Sequence, residues 1–211
     1  MRVDYIDHMG GDDRVVDAAR VSFDKIASNY TEEQNGRLLS YLARHGHWTP
    51  FSHPQITLRY TVPIFVARQE FKHIVGFTRN EVSRRYVDDE PELFRPDVWR
   101  ERPDGSVKQG SGGDHESSDE VAQAIETWYE NAGRMYQEMM RLGVAPEQAR
   151  MILPQSMYTS YYITGSLAAF ARFFRQRTDP HAQAEIQDLA YMVGDILSPL
   201  YPKAWEALTN D

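Results

Sequence analysis

Ile56, Leu58 and Tyr60 alternate with Thr57, Arg59 and Thr61, the two-residue period of a strand with one face in a core. A second stretch at 157–164, dense in Tyr, Thr and Ile, reads the same way, as do residues 2–8 before a Gly-Gly-Asp-Asp turn. Between them the period lengthens to that of helices. Val15, Val16 and Ala19 suggest a short one. Thr31 with Gln34 three residues on forms a capping box for a helix over 32–46, with Leu38, Leu39, Leu42 and His45 at helical spacing. Pro63 stands where another helix starts, with Ile64, Phe65, Ala67, Phe71 and Ile74 on its buried side.

Further on, Ser117 and Glu120 read as a capping box, and Val121, Ile125, Trp128, Ala132, Tyr136 and Met139 mark one face of a long helix stopped at Gly143. Pro146 opens a short helix, and 165–174 is helical. Asp179 as N-cap with Pro180 behind it launches the last long helix, Ile186, Leu189, Val193 and Leu197 inward. Residues 100–119, rich in Gly, Ser, Asp and Glu, read as a mobile loop. With no repeat or linker, the pattern predicts one α+β domain over 1–211, a mixed or antiparallel sheet flanked by long helices.

Composition narrows the function. A chain of 211 residues, 41% hydrophobic, is long enough for a sizeable core. No apolar run nears the roughly 20 residues of a membrane span. Asp4, Asp7 and His8 near the start are unlike a signal peptide, so a soluble cytoplasmic protein is expected. Without cysteine there is no disulfide, thiolate metal site or cysteine nucleophile. The net charge of −8 argues against general nucleic-acid binding. Yet Arg68, Lys72, Arg79, Arg84 and Arg85 face only Glu70 and Glu81 between residues 67 and 85, and 165–177 holds Arg172, Arg175 and Arg177 with no acid. Basic pockets on an acidic chain suit an anionic small molecule.

In Asn80-Glu81-Val82-Ser83-Arg84-Arg85-Tyr86 a carboxylate can accept from ribose hydroxyls while arginine forks bind phosphate oxygens. His181 is expected on the second residue of the last long helix, whose free N–H groups favour anions. His45, His47 and His53 prompt a metal reading, rejected because no cysteine exists and no carboxylate lies near them in sequence. The Gly-Pro loop they occupy could instead present His47 and Thr49 to a planar ligand. No Rossmann fingerprint, P-loop or Gly-x-Ser-x-Gly elbow occurs.

Five blocks, in order, carry a resemblance: His45-Gly46-His47-Trp48-Thr49-Pro50-Phe51, Pro63-Ile64-Phe65-Val66-Ala67-Arg68-Gln69, Asn80 to Tyr86 as above, Ala149-Arg150-Met151-Ile152-Leu153-Pro154, and Arg177-Thr178-Asp179-Pro180-His181-Ala182-Gln183-Ala184-Glu185-Ile186. Together they resemble the flavin-dependent thymidylate synthases. The resemblance implies that family's fold, a homotetramer with active sites built from several subunits, FAD as cofactor and NADPH as its reductant. It also implies one-carbon transfer from methylenetetrahydrofolate to C5 of dUMP, giving dTMP. The absence of cysteine agrees, since the other class of thymidylate synthase activates uracil by cysteine attack.

Carried over position by position, the resemblance puts Gln69, Glu81, Ser83, Arg84, Arg85, Arg150 and Arg177 at dUMP. Ser83, Arg85 and Arg150 would face its phosphate, Glu81 its ribose, and Arg177 its uracil ring as the catalytic group. Thr49, Lys72, His73, Ile74, Glu81 and His181 fall at flavin positions, and His47 near the folate and flavin rings. The family's usual Arg-His-Arg signature reads Lys72-His73-Ile74 here, and the stretch from Ile74 to Ser83 is one residue longer. Lysine keeps charge without the planar fork and isoleucine removes it, leaving Arg79 or Arg172 for the flavin diphosphate. Two rival readings stand beside this: a dUMP-binding homologue that has lost catalysis, and a single-strand-binding module using Arg79, Arg84, Arg85, Tyr86 and Tyr161.

Overall fold

In a computed structural model that describes residues 1–87, 89–103, 105 and 110–210, β1 (Arg2–Met9), β2 (Gln55–Pro63), β3 (Phe77–Glu81) and β4 (Tyr158–Ser166) form one antiparallel sheet. Their order is β1-β2-β4-β3. The α+β expectation holds, with the sheet antiparallel throughout. The alternation in β2 sorts its side chains as expected: Ile56, Leu58, Tyr60 and Val62 are fully buried, and Thr57 on the other face meets Thr164 of β4 at 2.9 Å. Each such buried side chain contributes about 1.5–3 kcal/mol.

Eight α-helices lie among the described residues: α1 (Asp12–Arg20), α2 (Glu32–Arg44), α3 (Ile64–Glu70), α4 (Ser118–Arg141), α5 (Pro146–Ala149), α6 (Leu167–Arg177), α7 (Ala184–Leu200) and α8 (Pro202–Thr209). The two central strands are built alike. β2 runs through Pro63 straight into α3, and β4 through Ser166 into α6, where Ser166 Oγ accepts from Ala169 N at 3.2 Å. Because β2 and β4 are antiparallel, Pro63 lies opposite Tyr158 and Gln55 opposite Ser166. The core gathers Leu167, Phe170 and Phe173 of α6, Ile186, Leu189, Val193 and Leu197 of α7, and Ala204 and Trp205 of α8 beside the sheet. Gly165 is required where β3 crosses β4, since a Cβ there would lie 2.3 Å from the Phe77 ring.

The Thr31–Gln34 capping box forms in both directions, at 2.9 and 3.3 Å. Other expectations need correction. Ser117 makes no capping hydrogen bond, so the box with Glu120 does not form, and the buried stripe of α4 runs through Tyr129 and Tyr136 while Trp128 is exposed. Gly165 and Ser166 belong to β4, so α6 begins only at Leu167. Asp179 does not cap α7: its Oδ1 is taken by His181 N at 2.8 Å and His181 Nδ1 at 3.0 Å, a closed local turn, and the helix starts at Ala184. His181 therefore precedes the helix. Strand β3 and helix α8 have no counterpart in the sequence reading. The N-terminus of α8 is capped from the far end of the chain, Asp12 accepting from Lys203 N at 2.9 Å and Ala204 N at 3.0 Å.

Of the stretch expected as a mobile loop at 100–119, residues 104 and 106–109 lie outside the described residues. Arg100 bridges to Asp114 across antiparallel backbone, and its guanidinium reaches Glu185 Oε1 at 2.6 Å. No helix among the described residues is long and apolar enough to cross a membrane.

Candidate active site

Helix α3 ends at Glu70, so the chain from Phe71 to Gly76 is a turn. This overturns the buried side expected to include Ile74, which is 73% exposed. Gly76 closes the turn at φ +83°, against Ala169 and Ser166 at the start of α6. The turn thus brings His73 to the C-terminal half of α6, which carries Arg172, Arg175 and Arg177.

His73 is buried, its ring edge-on to Phe173 at 5.1 Å between centroids. Arg177 Nε donates to His73 Nε2 at 2.8 Å, and Arg177 Nη2 to the carbonyl of Gln69 at 3.2 Å. A guanidinium only donates, so Nε2 must accept and the imidazole proton sits on Nδ1. Burial, then the charges of Arg177, Arg172 and Arg79, pull the His73 pKa down to about 4. Burial also lowers that of Arg177 from its ordinary value, with Glu70 opposing. The Gln69 side chain donates to Gln183 Oε1 at 2.6 Å, and Gln183 in turn to Glu185 at 2.8 Å. Two segments distant in sequence, 69–73 and 177–185, are thereby joined.

These groups stand at a cleft of about 1160 Å³ whose lining includes Trp48, Gln69, Arg172, Arg175, Arg177 and His181. Lys72, His47 and Thr49 are exposed, and His47 lies over Tyr41 at 6.2 Å, nearly parallel. Trp48, between His47 and Thr49, is the member of that motif that lines the cleft. His45 also packs against Tyr41, at 4.3 Å between centroids.

The remaining predicted residues lie apart. Glu81, Arg84 and Arg150 line a second cleft of about 740 Å³, which shares no lining residue with the first. There Glu81 Oε1 accepts from Thr159 Oγ1 at 2.6 Å, Arg84 is held by the Asp89 carbonyl, and Arg150 Nε donates to Glu147 O at 3.3 Å. Ser83 Oγ accepts from Arg85 N and Nε, both at 3.3 Å, while the Arg85 guanidinium lies 5.3 Å from the Tyr86 ring. Asp89, Glu90, Glu92 and Glu147 share the wall, so the second cleft has mixed charge.

Two expectations fail on burial. Arg79 cannot meet a flavin diphosphate, because its guanidinium is spent on Glu70, at 2.6 and 2.9 Å. Arg172 does line the large cleft, one of its nitrogens held by the Val75 carbonyl. Tyr161 is 1% exposed and its hydroxyl donates to Glu70 at 3.1 Å, so it offers no ring for base stacking. Glu70 went unread in the sequence, although its spacing from Val66 and Ala67 puts it on the buried face of α3. A lone carboxylate at an apolar helical position is the signal of a buried ion pair.

Residues 4–203 match the family model described as thymidylate synthase complementing protein. A flavin-dependent thymidylate synthase of Thermosipho africanus is 38% identical over 203 residues, 96% of this chain and 88% of that protein. That of Thermus thermophilus is 35% identical over 202 residues, 96% and 73% of the two chains. Among solved structures, a UMP/dUMP methylase, PolB, from Streptomyces cacaoi with 5-bromo-dUMP bound superposes with a TM-score of 0.87 at 31% identity, covering 99% of this chain and 94% of that one. On fold, order of motifs and near full-length similarity alike, the chain belongs to the thymidylate synthase complementing protein family, that of the flavin-dependent thymidylate synthases.

Proposed function

We propose that this chain is a flavin-dependent thymidylate synthase, converting dUMP, methylenetetrahydrofolate, NADPH and a proton to dTMP, tetrahydrofolate and NADP⁺. The observation that carries the reading is Arg177, which lines the large cationic cleft with Gln69 and is hydrogen-bonded to the Gln69 carbonyl and to the buried ring of His73. Arg177, half-buried and permanently charged, can stabilise negative charge that a uracil ring takes up while C5 forms its new bond. His73 is neutral and accepting, so it fixes the guanidinium without competing as a second cation at the ring.

The donor chemistry of the large cleft fits FAD. Arg172, Arg175 and His181 supply cationic and hydrogen-bonding groups for a diphosphate, small Ala168 and Ala171 leave room, and Trp48 offers a stacking face. When bound, FAD reduced by NADPH supplies the hydride that completes the methyl group. Glu81, Ser83, Arg84, Arg85 and Arg150 would hold the ribose and phosphate of dUMP. Their separation from Arg177 within one chain supports a homotetramer in which the second cleft of one subunit faces the first cleft of another. No role for the chain in binding nucleic acid or a membrane is proposed, and the site of action is the cytoplasm.

The test is product analysis of the purified protein with FAD, NADPH and methylenetetrahydrofolate, with dUMP and UMP supplied in competition. The reading expects dTMP as the dominant product. Preferential methylation of UMP would instead align the chain with the UMP/dUMP methylase it resembles in fold. Nucleotide binding with no methylated product would leave the non-catalytic homologue.

A further inference from the structure

Glu70 and Arg79 form the most buried ion pair among the described residues, their side chains 1% and 15% exposed. Burial pushes the Glu70 carboxyl above its ordinary range, and the Arg79 and Tyr161 contacts offset this only in part. Such a pair is weak as a source of stability, because taking two charges out of water cancels most of their attraction. Its geometry shows what it holds. Arg79 reaches from β3 with Nε on one Glu70 oxygen and Nη2 on the other, and the same Nη2 donates to the backbone carbonyl of His73. The guanidinium stands 5.5 Å from the centre of the Phe71 ring and 5.0 Å from that of Phe77, with Tyr161 closing the network beneath. From the other side Arg172 takes the Val75 carbonyl. The exposed turn 71–76 is thus gripped at two carbonyls by two arginines.

We propose that Glu70 and Arg79 are positioning residues: they fix the backbone of His73 so that its Nε2 meets Arg177 Nε, and thereby set the guanidinium that faces the substrate. Phe173 sets the plane of the imidazole, and Arg79 sets where the ring is hung. Neither residue touches substrate; both act through His73. The functional consequence rests on the thymidylate synthase reading, but the structural link does not.

The test uses the full-length protein with two variants. Glu70→Met/Arg79→Met replaces the pair with apolar side chains, a change that buried ion pairs commonly tolerate in stability. Arg79→Lys keeps the charge but lacks the fork that spans carboxylate and carbonyl. Urea midpoints, kcat and KM for dUMP, and the ring ¹⁵N resonances of His73, assigned with His73→Gln, are measured. The expected result is a folded double variant with kcat down about 10- to 100-fold, KM for dUMP little changed, and a His73 Nε2 resonance shifted toward that of a ring without a donor. Arg79→Lys is expected to recover part of both. A folded double variant with native kcat and a native Nε2 resonance would overturn the proposal. If the double variant does not fold, a native resonance in Arg79→Lys overturns it. Should the unaltered protein make no dTMP, the catalytic reading fails on that ground, while the resonance still decides whether the pair positions His73.

Discussion

Arg177 and His73, 104 positions apart, are joined by one hydrogen bond from Nε to Nε2 at 2.8 Å. The bond has a direction, since only the imidazole can accept, and so it fixes the tautomer of one residue and the orientation of the other. It also couples the turn after α3 to the end of α6, which walls the large cleft.

Arg177→Ala is expected to cut turnover severely while FAD stays bound, because the remaining cleft cations are untouched. Loss of a preorganised charge at the reacting ring costs about 100- to 1000-fold in kcat. Arg177→Lys keeps the charge without the Nε donor and should recover only a fraction. Steady-state kinetics beside the flavin absorbance of each variant checks this, and full activity in Arg177→Ala would remove the residue from the mechanism.

Acid should weaken the fold through His73. Its folded pKa of about 4 lies below the ordinary 6.5, so the unfolded chain binds the proton more readily. The stability this gives is present above pH 6.5 and is lost as pH falls toward about 4. Glu70, with its raised pKa, works in the opposite sense. Comparing urea midpoints of the unaltered protein and His73→Gln from pH 7 to 4.5 isolates the histidine: the variant is expected to show the shallower decline.

Ile74→Arg restores the cation of the usual signature at an exposed position of the turn. FAD binding measured by fluorescence quenching is expected to tighten severalfold, and more at low salt than at high. An unchanged or weaker complex would mean that the extra residue between Ile74 and Ser83 turns position 74 away from the flavin.

Asp12→Ala removes the cap that α8 receives from the other end of the chain. Stability in urea should drop by about 1–2 kcal/mol with kcat unaltered, and Asp12→Asn, with one acceptor oxygen for two N–H groups, should restore only part of it.

What the sequence made legible divides along the range of the interactions. The alternation in β2 and the Thr31–Gln34 box are local, and both fold as read. Strand β3, Phe-Thr-Arg-Asn-Glu, has little apolar signal of its own and exists because β4 offers it an edge and Gly165 makes room for Phe77. Helix α8 likewise depends on Asp12, which no window around Pro202 contains. Asp179 carried a true capping signal, but His181 two residues on captured its carboxylate. In the site, the motifs pointed to Gln69, Arg172, Arg177 and His181, which the fold brings around one cleft, and to His73, buried and bonded to Arg177. Arg79 read as a ligand for the flavin diphosphate and Glu70 only as a local counter-charge, because Tyr161, which joins their buried network, lies 91 positions from Glu70.

The most direct test of the account is a single-turnover reaction. The protein is loaded with FAD, dialysed, reduced anaerobically with NADPH while its visible spectrum is followed, then mixed with dUMP and methylenetetrahydrofolate. The account predicts a retained flavin spectrum that bleaches with NADPH and returns on mixing, with dTMP formed as the flavin reoxidises. Flavin that is not retained, or that reoxidises anaerobically without dTMP, would contradict it.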